Sequence, residues 1–173
     1  DPGRALIAVY KYRENDFRPY IFLTNNHGRS WELLTDGENG IPADHFVRVV
    51  REDPVRKGLL YAGTEFGMYL SVNGGKQWQA FQQNLPIVPI TDLQIKNNDL
   101  VLATQGRSFW IMDDLSPLRE MEDRLLSGSA HLFPPNPAYR TQLGNYRGIA
   151  APDRAPAGAL IHFYLGDAAK GQP

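Results

Sequence analysis

Two charged residues stand at matching places in the chain. Glu65 follows Gly63-Thr64, and Arg107 lies in Gly106-Arg107-Ser108. A carboxylate and a guanidinium brought together can hold a polar ligand, and a lone glutamate can act as a general acid. Two such loop residues can equally pair with each other or face solvent. Asp113-Asp114 offers further carboxylates, which read as turn or solvent groups. Hydrolysis of a glycosidic bond needs two carboxylates roughly 5–10 Å apart, a distance that no sequence displays. His27, His45, His131 and His162 share no ligand spacing and there is no cysteine, so no metal site and no cofactor is expected. Trp31, Trp78 and Trp110 have rings that stack on sugars, but they fall at packing positions and read as core.

The stretch that positions these groups runs from Leu59 to Trp78. Leu59 to Ala62 form an apolar strand, Gly63, Glu65 and Gly67 bracket a turn, and Met68 to Leu70 form the next strand. Asn73-Gly74 is read as supplying the positive φ angles of a tight turn. The same ending occurs earlier. Thr24, Asn26, Gly28 and Trp31 align with Ser71, Asn73, Gly75 and Trp78 at an offset of 47 residues. A third, degraded copy spans Leu100 to Asp113, where Phe109-Trp110-Ile111 mirrors Met68-Tyr69-Leu70. Repeats of roughly 40–50 residues, each with several short strands, are the mark of β-propeller blades.

The two full copies resemble the Asp-box of bacterial-neuraminidase-type repeats, Ser/Thr-x-Asp-x-Gly-x-x-Trp, with Asn26 and Asn73 in place of the aspartate. An asparagine oxygen still accepts backbone N–H bonds within the turn, so the structural role survives without the charge. The resemblance implies that Thr24, Asn26, Gly28, Trp31, Ser71, Asn73, Gly75 and Trp78 hold hairpins at the blade rim and do no chemistry. Asn84-Leu85-Pro86, Thr91-Asp92-Leu93, Leu100 to Thr104 and Gly106 to Asp114 look like the closing blades of sortilin-like or glycosyl-hydrolase-like secreted bacterial proteins. Gln105 stands where that pattern suggests a histidine. The resemblance implies a secreted or periplasmic setting and places Glu65 and Arg107 near the propeller axis, where ligands bind.

Composition narrows the choice. The 173 residues carry a net charge of −1, which argues against a phosphate-driven nucleic-acid surface. No apolar run approaches the ~18 residues of a membrane span. The start, Asp1-Pro2-Gly3-Arg4, is no signal peptide and has no initiating Met, so a processed or excised piece of something longer is expected.

In chain order, residues 4–12 read as a strand with a buried first half, and Trp31 to Leu34 as an outer strand. Phe46 to Val50 alternates as a half-exposed strand. From Ser116-Pro117 a short helix is expected, with Ser116 as its cap. Residues 144–158, rich in Gly, Ala and Pro, read as a linker, and a strand begins at Ala159. The expected fold is all-β: two to three blades of a propeller (1–115), a helix and linker (116–158), and the first strand of a β-sandwich (159–173).

A propeller closes with at least ~4 blades, so further blades are expected from the same parent protein or another chain. Two functions remain open. One is a non-catalytic binding or scaffolding propeller for a protein, peptide or glycan, including the protein-assembly role of similar repeats in photosystem assembly. The other is part of a sialidase- or xyloglucanase-like glycoside hydrolase, with its carboxylates shared with other blades.

Overall fold

A computed structural model describes residues 1–121, 128–138 and 158–166. The chain divides into two compact units, Asp1–Met112 and Asp113–Pro173.

The first unit holds three antiparallel sheets, each a simple meander. Strands β1 (Ala5–Lys11), β2 (Asp16–Thr24) and β3 (Glu32–Leu33) form the first. The second contains β4 (Val47–Glu52), β5 (Leu60–Thr64), β6 (Gly67–Ser71) and β7 (Gln79–Ala80). The third contains β8 (Ile90–Lys96), β9 (Asp99–Thr104) and β10 (Phe109–Met112). β1 packs on β4, and β4 and β5 pack on β8, so successive sheets stack face to face around one edge. This is a partial β-propeller, and among the described residues the protein is all-β with one short α-helix.

The middle sheet lies between the other two, and for that reason every residue of β5 and β6 is buried. Their near-continuous apolar runs fit strands covered on both faces. Ile21 and Leu23 of the first sheet close a core with Val47, Val50, Leu60, Ala62, Tyr69 and Trp78 of the second. On the other side the sheets approach so closely that a Cβ on Gly63 would lie 2.7 Å from Ile90 and 2.8 Å from Val49.

The rim turns are held by side chains. Asn73 Oδ1 accepts the Gln77 N–H at 3.0 Å, and Ser71 Oγ accepts the Gly75 N–H at 2.9 Å. In the first copy, Asn26 Oδ1 accepts the Ser30 N–H and Thr24 Oγ1 the Gly28 N–H, both at 3.0 Å. The positive φ angles fall one place later than the sequence suggests, on Gly74 and Gly75, and on His27 and Gly28. The asparagines are acceptors rather than the left-handed residues.

Several expectations change. The first half of β1 is not buried, because β2 is its only paired neighbour. Trp78 is 2% exposed, but Trp31, at the same repeat position, is 43% exposed. Trp78 donates its Nε1–H to Leu34 O of the preceding sheet.

In the second unit, α1 (Ser116–Glu120) begins at Ser116 itself, with Leu115 at the cap position and no side-chain cap. Asp114 supplies the acceptor for the Ser116 N–H instead. The strand expected from Ala159 is confined to β12 (Phe163–Leu165), which pairs with β11 (Ala130–Leu132). A helix expected to run to Ser127-Gly128 ends instead at Glu120, because Met121 is extended; residues 122–127 and nearly all of the linker at 144–158 lie outside the described residues.

Candidate functional site: the arginine-bearing inner strand

β4 is the innermost strand of the middle sheet and reads Val-Arg-Val-Val-Arg-Glu. Its pairing with β5 slips between Val47 and Val49, so Arg48 is the extra residue of a β-bulge. The inner strand of the third sheet slips at the matching place, between Ile90 and Asp92. The bulge re-aims Arg48. Its guanidinium lies over the Phe46 ring at 5.2 Å and reaches Glu65 Oε2 at 2.6 Å.

Glu65 sits in the turn between β5 and β6, where its N–H donates to Phe46 O. That turn does not follow an innermost strand, so Glu65 reaches the inner strand only through its arginine partner. Arg107 occupies the corresponding turn between β9 and β10 and is exposed, with its carbonyl accepting the Trp110 Nε1–H at 2.9 Å. Among the described residues, no hydrogen bond or ion pair joins Glu65 to Arg107. The carboxylate expected to meet Arg107 meets Arg48.

Arg51 links two sheets. It donates to Val50 O and to Asp92 Oδ1 on β8, both at 3.0 Å. Arg48, Arg51, Asp92 and Thr91, with Ile7 and Ala8 of β1, line a shallow depression of ≈ 270 Å³ over the inner strands. Beyond one end of β4 the rings of Tyr10, Tyr12 and Phe46 stack, with centroids 5.2 Å apart for Tyr12 and Phe46. Tyr10 and Phe17 in this cluster are exposed. The depression therefore presents guanidinium donors, with the aromatic cluster adjoining it at Arg48. Chemically it suits a ligand with carboxylate, carbonyl or hydroxyl groups beside an apolar part.

Sequence reasoning missed Arg48, Arg51 and Asp92. Two arginines inside the otherwise apolar run Phe46–Val50 and its flank are the signal that could have found the first two.

A second set of charges joins the first two sheets. Arg4 donates to both carboxylate oxygens of Glu52, at 2.7 and 2.8 Å, and to Asn25 Oδ1. Glu52 Oε1 also accepts the Gly58 N–H at 2.8 Å. Burial raises the Glu52 pKa, but the Arg4 and Gly58 donors outweigh it and leave the carboxyl below its ordinary value. Close by, a wider depression of ≈ 490 Å³ is lined by Arg4, Lys57, Lys76, Glu32 and Asp36.

In the second unit, buried Asp114 accepts from Ser116 and Asn136, and His162 Nε2 lies 3.3 Å from its other oxygen. Burial raises this carboxyl pKa, and the bonds from Ser116, the His162 charge and Asn136 together bring it below the ordinary value. Serine and histidine both address the aspartate, so the histidine is not set on the serine hydroxyl. A nucleophilic triad needs the histidine between the other two. Asp114 is a structural acceptor.

No family model matches the chain, and no curated protein matches it. Among solved structures it is similar to an ancestral GH74 enzyme, with 22% identity and a TM-score of 0.45 over 62% of this chain and 13% of that one. It is also similar to YCF48 bound to D1 peptide, with 20% identity and a TM-score of 0.39 over 54% of this chain and 30% of that one. The chain thus spans less than a third of the length of either protein.

Proposed function

We propose that this chain is the binding or scaffolding part of a larger β-propeller, and that it recognises a protein, peptide or glycan through its inner-strand face. One observation carries the reading. The two carboxylates that meet the β4 arginines, Glu65 and Asp92, are each engaged in an ion pair. Groups held in this way act as positioning partners for donors, whereas a glycosidase presents two carboxylates to the scissile bond. The exposed Tyr10 and Phe17 rings, which pack on the buried Phe46 ring beneath Arg48, add apolar surface on which a peptide side chain or a sugar stacks. The remaining blades, from the same parent protein or another chain, complete the ring around this face.

The test is a panel of immobilised peptides and glycans probed with the wild-type chain, Arg48→Gln and Arg51→Gln. Binding that falls at least ~10-fold in both variants, roughly the loss of one charge-assisted hydrogen bond, supports the reading. Hydrolysis of an oligosaccharide by the wild-type chain, abolished by Glu65→Gln or Asp92→Asn, would replace it with the hydrolase.

A further inference from the structure

The depression between the first two sheets has walls of opposite charge. The first sheet supplies Glu32 on β3 and Asp36 shortly after it, and the second supplies Lys57, before β5, and Lys76, after β6. All four residues are exposed. Among the described residues no ion pair or hydrogen bond holds the side chains of Glu32, Lys57 or Lys76. Asp36 Oδ1 accepts the Glu38 and Asn39 N–H groups, which leaves Oδ2 open. The third cation of the depression, Arg4, is matched by Glu52. The open charges are therefore two carboxylates on one wall and two ammonium groups on the other.

The repeat reveals one more open donor. In the first rim turn Asn26 Nδ2 donates to Ser30 Oγ at 2.8 Å. Its counterpart Asn73 lines the depression, and Gln77 stands in place of that serine. Asn73 Oδ1 keeps the bonds that hold its turn, but among the described residues its Nδ2 has no such acceptor. The amide thus adds a neutral donor to the basic wall. The two walls are also tied to each other. Asn39 Nδ2 donates to Leu34 O at 2.8 Å and to Gly75 O at 3.3 Å. Leu34 packs so closely on Gly75 that a Cβ there would lie 2.8 Å from it. A site fixed in this way loses little freedom when a ligand enters. Exposed Leu33 gives it an apolar surface.

An anion would be drawn by the lysines and repelled by Glu32 and Asp36, and a cation would meet the reverse. A ligand with both charges is attracted by both walls. The volume of ≈ 490 Å³ suits a small molecule, and an extended dipeptide spans about 7 Å. We propose that this depression is a second binding site, separate from the arginine-bearing face, and that it takes short zwitterionic peptides. The carboxylate lies at Lys57, Lys76 and Asn73, the ammonium at Glu32 and Asp36, and an apolar side chain on Leu33.

The test is a titration of the isotopically labelled chain with leucyl-leucine, with its N-acetylated form and with its C-amidated form. Amide shifts of residues 32–39 and 72–77 report binding. The expected result is saturable shifts with the free dipeptide and at least ~5-fold weaker binding of each capped form, the scale of an exposed charge contact. Glu32→Gln should weaken the free dipeptide about 3-fold and leave the acetylated form unchanged, because that form has no ammonium to lose. Lys76→Gln should weaken the free dipeptide by a similar factor and leave the amidated form unchanged. No saturation by about 10 mM overturns the proposal. Capped forms that bind as tightly as the free dipeptide overturn it, as does an equal effect of Glu32→Gln on the free and acetylated forms. Unchanged β5 and β6 amide positions in the ligand-free variants verify that the fold is intact.

Discussion

The Arg4–Glu52 pair is expected to be the largest single polar contribution to the association of the first two sheets. The two side chains are 11% and 21% exposed and meet through two charge-assisted bonds of 2.7 and 2.8 Å. Arg4→Met keeps most of the stem volume but leaves Glu52 with the Gly58 N–H as its remaining bond. Removing one partner of a buried pair costs about 3–5 kcal/mol, and a charge-assisted bond is worth about 1.5–3 kcal/mol. With both groups partly wet, about 2–3 kcal/mol is the expected loss. Urea unfolding read by tryptophan fluorescence measures it, as a fall of about 1–2 M in midpoint for a slope near 1.5 kcal/mol/M. The double variant Arg4→Met/Glu52→Met removes both charges and should recover at least about 1 kcal/mol, because two apolar groups of similar volume do not strand a charge. The pH dependence has a definite sign. The Glu52 carboxyl lies below its ordinary value in the folded state, so its contribution is complete above the unfolded value of about 4.3. That contribution is lost as pH falls through the folded value. Wild type should therefore lose stability more steeply below about pH 4.5 than Arg4→Met. A cost under about 0.5 kcal/mol, or singles that simply add in the double, would refute the reasoning.

Gly63→Ala should destabilise by about 1–3 kcal/mol by overpacking, because the new methyl meets Ile90 and Val49; Ile90→Ala in the same chain should return part of that loss in thermal unfolding. Asn73→Ala should cost about 1–2 kcal/mol by leaving the Gln77 N–H and Ser71 hydroxyl without their acceptor. Asn73→Asp, which keeps the oxygen, should stay within about 0.5 kcal/mol by chemical denaturation. Trp78→Ala should cost about 3–5 kcal/mol, whereas Trp31→Ala should cost under about 1 kcal/mol because its ring is half in water; equal losses at the two positions would contradict the burial difference.

What could be read from the chain is what a single turn dictates. The spacing Thr24-x-Asn26-x-Gly28-x-x-Trp31 and its copy at Ser71 are local: a side-chain oxygen two residues after a hydroxyl captures the same backbone N–H groups in any context. The strands followed from them, since a rim hairpin must be flanked by two. The site was less legible because its geometry is set between repeats. Arg48 finds Glu65 only through a one-residue slip in the β4–β5 ladder, and Arg51 finds Asp92 only because β8 packs beside β4. Neither event leaves a periodic trace.

The two misjudged burials have one physical origin, and it bears on how the chain works. Trp31 and Trp78 are equivalent in sequence, but Trp78 lies against the carbonyl of Leu34 and the backbone of the 39–40 segment. Those residues belong to the connection that leads out of the sheet before it. Among the described residues Trp31 has no such neighbour and β1 pairs with β2 alone, so both are exposed where their repeat partners are covered. At the other end of the stack, Phe109 and Ile111 on β10 are exposed as well. Exposed apolar side chains thus lie on the first and third sheets, on either side of a middle sheet whose β5 and β6 are wholly buried. A surface distributed in this way disfavours an isolated three-sheet body, because each outer sheet leaves large side chains in water. A ring of further blades, as in the larger propeller proposed above, would cover the same faces.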